Sequence, residues 1–267
     1  MRPAVVLVTD FGRADPWVAE LRGALAAVWA RWPGGWERPL VIDGGHDLPR
    51  GDQAAGAWFL QRLAAGFGAG TVFLAVVDPG VGSGRPAVAC SAGGQVFVGP
   101  GGPLLGWLAG AADLAVVTLD RPLYRGAPGG SAVSTTFHGR DVFAPAAAHL
   151  AMGVPLDQVG TPADRALLGA PAPAGGGWTI RWIDRFGNAI TDLGRDSPAG
   201  VRLAGGGAVR LGTHLVHGPA ATYAAAPPGV PFWYWGSGGT LEVAVRDGSA
   251  ADQLDLQPGL ALLLPGP

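Results

Sequence analysis

Two carboxylates stand where short apolar runs end: Asp10 closes Ala4–Thr9 and Asp78 closes Thr71–Val77. In open α/β sheets, ligands collect at the carboxyl edges of the strands, so either acid could bind or react there. On position alone each also reads as a turn or cap residue that accepts from nearby amides. Asp78 opens the stretch Asp78-Pro-Gly-Val-Gly-Ser-Gly-Arg85. Its glycines suggest a phosphate loop, but no Gly-Lys-Ser/Thr follows and no helix start stands at the right place. A turn that folds Arg85 back onto Asp78 is the better reading, because a guanidinium favours the charged carboxylate and fixes its orientation. His138, followed by Gly139 and a helical pattern, is either an imidazole that joins this pair or a surface or capping residue.

Other chemistries fit less well. His138 and His149 straddle a loop-to-helix boundary and lack the i, i+4 spacing of a helical metal pair, so no metal site is expected. His46, His214 and His217 read as structural. No Gly-x-Ser-x-Gly elbow exists for a serine nucleophile. Further along, Asp184-Arg-Phe186-Gly-Asn188 forms a polar, aromatic turn between apolar runs. Ser237-Gly-Gly leads into Leu241-Glu242-Val-Ala-Val245, where Glu242 interrupts an apolar strand and needs solvent or a partner.

The elements that must hold these residues follow from periodicity. Short continuous apolar runs at Ala4–Thr9, Pro39–Asp43, Thr71–Val77, Gln95–Val98 and Leu114–Val117 read as strands. Helical patterns intervene. One starts from an Asp15 cap with Pro16 as first residue and carries Val18, Leu21, Leu25 and Val28. Others cover Asp52–Ala65 and Asp141–Met152. This alternation predicts an α/β N-terminal domain with a mostly parallel sheet over residues 1–170. A Pro/Gly/Ala linker is expected at about 170–177. Beyond it, short strand-like runs separated by turns predict a smaller, all-β C-terminal domain, sandwich or barrel, over 178–267.

Composition narrows the function classes. Among 267 residues, Gly 46 and Pro 24 make up about a quarter, yet 48% hydrophobic residues and ten Trp supply enough apolar surface to fold. All 18 basic residues are Arg, and a formal net charge of −2 offers no basic field for a nucleic-acid backbone. The single Cys90 excludes an internal disulfide and reads as a small core residue. No signal-peptide pattern opens the chain, and no apolar stretch approaches the ~20 residues of a bilayer span, so a cytoplasmic protein without membrane contact is expected.

Taken in order, Thr9-Asp-Phe-Gly12, His46-Asp47 with Pro49 and Asp52, Asp78-Pro-Gly-Val-Gly with Arg85, and Phe137-His-Gly-Arg-Asp-Val-Phe-Ala-Pro145 are far more specific than any one of them. Asp184 with Phe186-Gly-Asn188, and Ser237 with Leu241-Glu242, complete the series. The chain resembles the S-adenosyl-L-methionine (SAM) hydroxide adenosyltransferase family, the SAM hydrolases related to the fluorinating and chlorinating SAM enzymes. The resemblance implies that water displaces methionine from the ribose C5′, giving adenosine and L-methionine with no cofactor. It maps a catalytic set onto Asp78, Arg85 and His138, a ribose-binding carboxylate onto Asp10, and an adenine-contacting side chain onto Asn188, with Phe186 in the same loop. Asp184 and Ser237 match positions near the methionine end, and Glu242 and the backbone at Val245 match further substrate contacts. It also implies a homotrimer with sites between the N-terminal domain of one subunit and the C-terminal domain of its neighbour.

The alternatives are a non-catalytic adenosine- or SAM-binding protein and, within the superfamily, a halogenase. The halogenating members carry Tyr where this chain has Asp78, Thr at Val81, and Tyr-Ser at His138-Gly139. A carboxylate would repel a halide and Val81 removes a donor, so hydrolysis is the favoured chemistry. The chain departs from the family at Pro100-Gly-Gly-Pro-Leu-Leu105, where two polar side chains are missing, at Gly44-Gly45, and at Thr240, where an aromatic is usual.

Overall fold

The computed structural model describes residues 3–33, 37–126, 132–170 and 177–264. The chain divides into two compact units, Met1–Pro173 and Ala174–Pro267. Most of the stretch expected as a linker lies outside the described residues.

The N-terminal unit is built on a seven-stranded sheet of order β2-β1-β3-β5-β4-β6-β7. Its strands are β1 (Ala4–Thr9), β2 (Leu40–Gly45), β3 (Val72–Val76), β4 (Ala87–Ala92), β5 (Gln95–Pro100), β6 (Ala115–Thr118) and β7 (Thr161–Pro162). Val5 to Val8 are fully buried, as a strand covered on both faces requires, which is why β1 reads as an unbroken apolar run. Helix α1 (Trp17–Ala30) follows β1, α2 (Gln53–Ala64) follows β2, and α3 (Ala144–Ala151) and α4 (Leu156–Val159) come after β6. Helix α1 starts one residue later than its sequence signals indicate. Pro16 takes the cap position, and no side chain caps the helix. Leu21, Ala24, Leu25 and Trp29 form its buried stripe.

The sheet is mixed, and this corrects the expectation of a mostly parallel one. Pairs β1–β2, β1–β3 and β3–β5 are parallel, whereas β4–β5, β4–β6 and β6–β7 are antiparallel. The cause is a hairpin that the strand–helix alternation does not reveal. Ala92 pairs with Gln95 across Gly93 and Gly94, which adopt φ of 59° and 73°. Positive φ at both central positions gives a turn whose twist matches that of the flanking strands. β4 carries Cys90, fully buried, with burial pushing its thiol pKa up to about 12.

The C-terminal unit is a closed barrel of order β10-β11-β12-β13-β9-β8-β14, which decides between sandwich and barrel. Its strands are β8 (Trp178–Ile183), β9 (Ala189–Gly194), β10 (Gly207–Leu211), β11 (His214–Gly218), β12 (Pro231–Trp235), β13 (Thr240–Val245) and β14 (Ala261–Leu263). Short helices α5 (Pro198–Leu203) and α6 (Ala250–Leu254) complete it. Trp233 is fully buried among Val209, Leu211, Val243 and Leu262, with its indole N–H donated to the Gly207 carbonyl at 3.0 Å. No helix among the described residues is long and apolar enough to cross a membrane.

Helix α2 begins where the sequence signals it, because the Asp52 carboxylate accepts from the amides of Ala54 and Ala55 at 3.0 and 2.9 Å. Asp52→Ala is expected to lower unfolding free energy by about 1 kcal/mol in equilibrium urea denaturation, with an unchanged m-value. An unaltered midpoint would show that this cap contributes nothing.

Candidate active site

Asp78 lies just beyond β3, and the glycine-rich stretch after it turns sharply. The Val81 amide approaches the Asp78 carbonyl at 3.4 Å, Ser83 bonds the Gly80 carbonyl through both its amide and its hydroxyl, and the Arg85 amide donates to Ser83 Oγ at 3.2 Å. Gly82 has φ of +77°, and a Cβ there would sit 2.5 Å from the Thr135 carbonyl oxygen, so only glycine fits. The result is the fold-back that the sequence suggested. Arg85 Nε donates to Asp78 Oδ1 at 2.7 Å and Nη2 donates to Oδ2, a two-point clamp between side chains only 13% and 6% exposed.

The guanidinium is held on its other sides too. Nη1 donates to the Pro86 carbonyl at 3.0 Å, and the Phe143 ring centroid lies 5.0 Å from Cζ. The same Pro86 carbonyl accepts from the Gly101 amide at 2.8 Å, and a Cβ on Gly101 would crowd Pro86 and the Leu167 carbonyl. The unusual Gly101-Gly102 segment thus packs against the residue that anchors Arg85.

His138 joins the pair, with Nδ1 3.3 Å from Arg85 Nη2. It caps a π-helical turn, Gly139–Phe143, which runs into α3. Burial, followed by the positive charge of Arg85, holds the imidazole pKa below its ordinary value. A guanidinium can only donate, so Nδ1 is assigned the lone pair and Nε2 the proton.

Asp10 follows β1, which runs beside β3 in parallel register, and its Oδ2 accepts from the Gly51 amide at 2.7 Å. Gly51 lies against Pro79, which places the Asp10 carboxylate close to the Asp78 turn. Phe11 and Phe137, the chain neighbours of Asp10 and His138, pack edge-on at 5.7 Å. With Trp17, Thr136 and Arg140 they line a cleft of about 470 Å³.

One residue read from sequence as merely structural belongs to this neighbourhood. His46 is 2% exposed; its Nδ1 lies 2.9 Å from Thr9 Oγ1, its Nε2 3.0 Å from Asp43 Oδ1, and its carbonyl accepts from the Gly12 amide at 2.7 Å. It ties the loop around Asp10 to the end of β2. Only the parallel pairing of β1 with β2 brings these residues together, so the sequence signal at His46 is its place in the His46-Asp47 motif of the family series, not its spacing from Thr9 or Asp43.

The C-terminal unit gathers most of the remaining candidates by itself. Asp184, Phe186 and Asn188 form the β8–β9 turn. Asp184 Oδ1 accepts from the Phe186 and Asn188 amides at 2.8 and 2.9 Å, and Oδ2 accepts from Asn188 Nδ2 at 2.8 Å. The carboxylate therefore organises the loop, leaving Phe186 77% exposed and Asn188 buried. Glu242 on β13 is also buried and stands opposite Tyr234 on the neighbouring strand β12, whose hydroxyl donates to Glu242 Oε2. The Tyr234 hydroxyl also lies 3.1 Å from the Tyr223 hydroxyl. The sequence reading missed both tyrosines, which are joined to Glu242 by hydrogen bonds. Ser237 sits exposed in the β12–β13 turn. The Val245 side chain is buried in the barrel core, while its carbonyl accepts from the Gly248 amide at 3.3 Å. Among the described residues, no three His, Cys, Asp or Glu side chains are arranged to hold a metal ion.

Comparison with known proteins gives a consistent answer. A family model for the SAM hydroxide adenosyltransferase N-terminal domain matches residues 5–160, and one for the C-terminal domain matches residues 178–262. A Thermus thermophilus protein named (R)-S-adenosyl-L-methionine hydrolase is 41% identical, over 99% of this chain and all of that relative. A Salinispora arenicola protein of the same name is 39% identical, over 96% and 95%. Among solved structures, an uncharacterized conserved protein from Thermotoga maritima superposes with a TM-score of 0.83 at 26% identity, covering 97% of this chain and 100% of that one.

The His138 environment sets a titration. Its NMR midpoint is expected below 6.5, and Arg85→Gln should raise it, because the variant removes a repelling cation and frees the Asp78 charge. A lowered pKa means the unfolded chain binds more protons, so this group's contribution to stability is present above about 6.5 and is lost as pH falls toward the folded midpoint. A midpoint at or above 6.5 would refute the buried, cation-facing imidazole.

Proposed function

The chain belongs to the SAM hydroxide adenosyltransferase family, and from that premise we propose that it hydrolyses SAM at the ribose C5′. Water forms the new O–C5′ bond, the C5′–S pair leaves with sulfur, and adenosine and L-methionine are the products. The observation that carries this reading is the Arg85 guanidinium, which clamps the Asp78 carboxylate while touching His138. The leaving group is a neutral thioether, so the reaction needs no acid to protonate it and no cofactor. The demand falls on water, which is a weak nucleophile and must approach in line with the C–S bond. Holding it there can supply roughly 7–11 kcal/mol of the barrier.

In this mechanism Asp78 accepts the water proton as bonding to carbon develops; each of its oxygens keeps a lone pair beyond the one given to Arg85. His138, neutral and with Nδ1 turned to Arg85, offers Nε2–H to orient the water. Asp10 holds the ribose hydroxyls with the capacity that Gly51 leaves free. Asn188 reads the adenine, with Phe186 exposed in the same loop. Asp184 and Ser237 serve the methionine end, and Glu242 and the Val245 backbone contribute further contacts. The reacting trio lies on one unit and the adenine loop on the other. A homotrimer in which the N-terminal domain of one subunit faces the C-terminal domain of its neighbour would unite them, as the family resemblance implies.

Incubation with SAM in ¹⁸O-water should give adenosine labelled at the 5′-hydroxyl. Label in methionine instead, or no product at all, would defeat the assignment. Asp78→Asn should lower kcat by about 10²–10⁴-fold while changing KM far less, since the carboxylate acts on the water rather than on the bound substrate.

A further inference from the structure

The end of β2 is shaped to deliver one imidazole. Its register against β1 slips by a residue, with Leu7 beside Asp43 but Val8 beside Gly45, so Gly44 is left out of the pairing. Such a slip turns the later side chains of the strand to the other face. Close packing explains the two glycines. A Cβ on Gly44 would sit 2.5 Å from Leu63 Cδ2 and 3.1 Å from the Leu7 carbonyl oxygen, and one on Gly45 would sit 2.8 Å from Phe59 Cζ. The residues that follow the slip are Thr9 and His46, 0% and 2% exposed, and their side chains meet.

The contacts around that imidazole run one way. Nε2 lies 3.0 Å from Asp43 Oδ1, too close for two lone pairs to face each other, so Nε2 carries the proton. In the neutral ring the lone pair is then on Nδ1, which accepts from the Thr9 hydroxyl at 2.9 Å. Thr9 Oγ1 in turn accepts from the Phe11 amide at 3.3 Å, and Arg22 on α1 holds the second Asp43 oxygen. The His46 carbonyl takes the Gly12 amide at 2.7 Å. Thr9, Phe11 and Gly12, the residues on either side of Asp10, are therefore all tied through His46. The Gly51 amide fixes Asp10 Oδ2, but the backbone from which the whole carboxylate projects is fixed by His46.

We propose that His46 and Thr9, held by Asp43, are positioning residues that aim the Asp10 carboxylate, and that they set how strongly the site prefers a ribonucleoside to its 2′-deoxy counterpart. The inference deepens the ribose-binding role given to Asp10 above and rests on it. One carboxylate accepts from two neighbouring hydroxyls only when it is aimed at both, and a site built to bond a hydroxyl rejects the analogue that lacks it. Once the 9–12 loop loses its tie to His46, the carboxylate meets one hydroxyl at most, and the two nucleosides become alike to it.

Calorimetric titration of the full-length protein with adenosine and with 2′-deoxyadenosine tests the proposal. Wild type should bind adenosine about tenfold or more tightly. Thr9→Val, which exchanges the hydroxyl for a methyl group, should bring the ratio down to about one to three. Thr9→Ser, which keeps the hydroxyl, should retain the wild-type ratio, and this rescue separates aiming from mere packing. His46→Leu should act like Thr9→Val; circular dichroism checks that each variant is folded, and the Thr9 pair decides if His46→Leu is not. A folded Thr9→Val protein with the wild-type ratio overturns the inference alone. A wild type that binds both nucleosides equally, or neither, overturns the ribose role of Asp10 and the inference with it.

Discussion

The two-point clamp of Arg85 on Asp78 is the interaction on which the rest depends. Removing one partner of a buried ion pair leaves the other charge stranded, at a cost of roughly 3–5 kcal/mol. The protein surrounds this pair with groups that satisfy what the clamp leaves open: the Pro86 carbonyl takes a guanidinium N–H, the Phe143 face lies beside the cation, and His138 turns a nitrogen toward it. Each of these is delivered by a different element. The turn after β3 brings Arg85, the π-helical turn brings His138 and Phe143, and the Gly101 amide fixes the carbonyl that Arg85 uses. The fold of the N-terminal unit is the way those elements reach one edge of the sheet.

The two units divide the work by the kind of order they impose. In the N-terminal unit the constraint is charge. A cation is oriented by an acid, and an imidazole is kept neutral by burial and by that cation. In the C-terminal unit the constraint is hydrogen bonding: Asp184 accepts from the amides of its own turn and from the Asn188 side chain, and Glu242 accepts from a phenol. Charge placement suits a step in which a proton leaves water, and fixed donor–acceptor polarity suits the reading of a base. Proposed chemistry and proposed recognition thus use different physics on different units.

Much of this was legible in the sequence wherever the cause is local. Apolar runs ending in Asp10 and Asp78 mark strand edges, the glycines between Asp78 and Arg85 announce a fold-back, and Asp52 caps a helix where the pattern begins. What could not be read depends on partners distant along the chain. The parallel sheet was overextended because Gly93-Gly94 makes a two-residue hairpin inside what looks like a simple succession of strands. His46 reads as bland until the β1–β2 pairing sets it beside Thr9. Tyr223 and Tyr234 matter only because the barrel register puts Tyr234 opposite Glu242, a juxtaposition with no trace in spacing.

The clamp also explains why the proposed water needs two groups rather than one. Arg85 occupies one lone pair on each Asp78 oxygen, so the carboxylate approaches water through what remains, a directional and weakened acceptor. Such a base gains from having the nucleophile oriented before the proton moves. His138 suits that task only if it stays neutral and keeps its proton on Nε2, which is the form that burial and the guanidinium together favour. A protonated imidazole beside Arg85 would place two cations against each other and draw the water's lone pair away from carbon. The same guanidinium that orients the base therefore selects the tautomer of its partner, and the elements packed behind Arg85 bear on both.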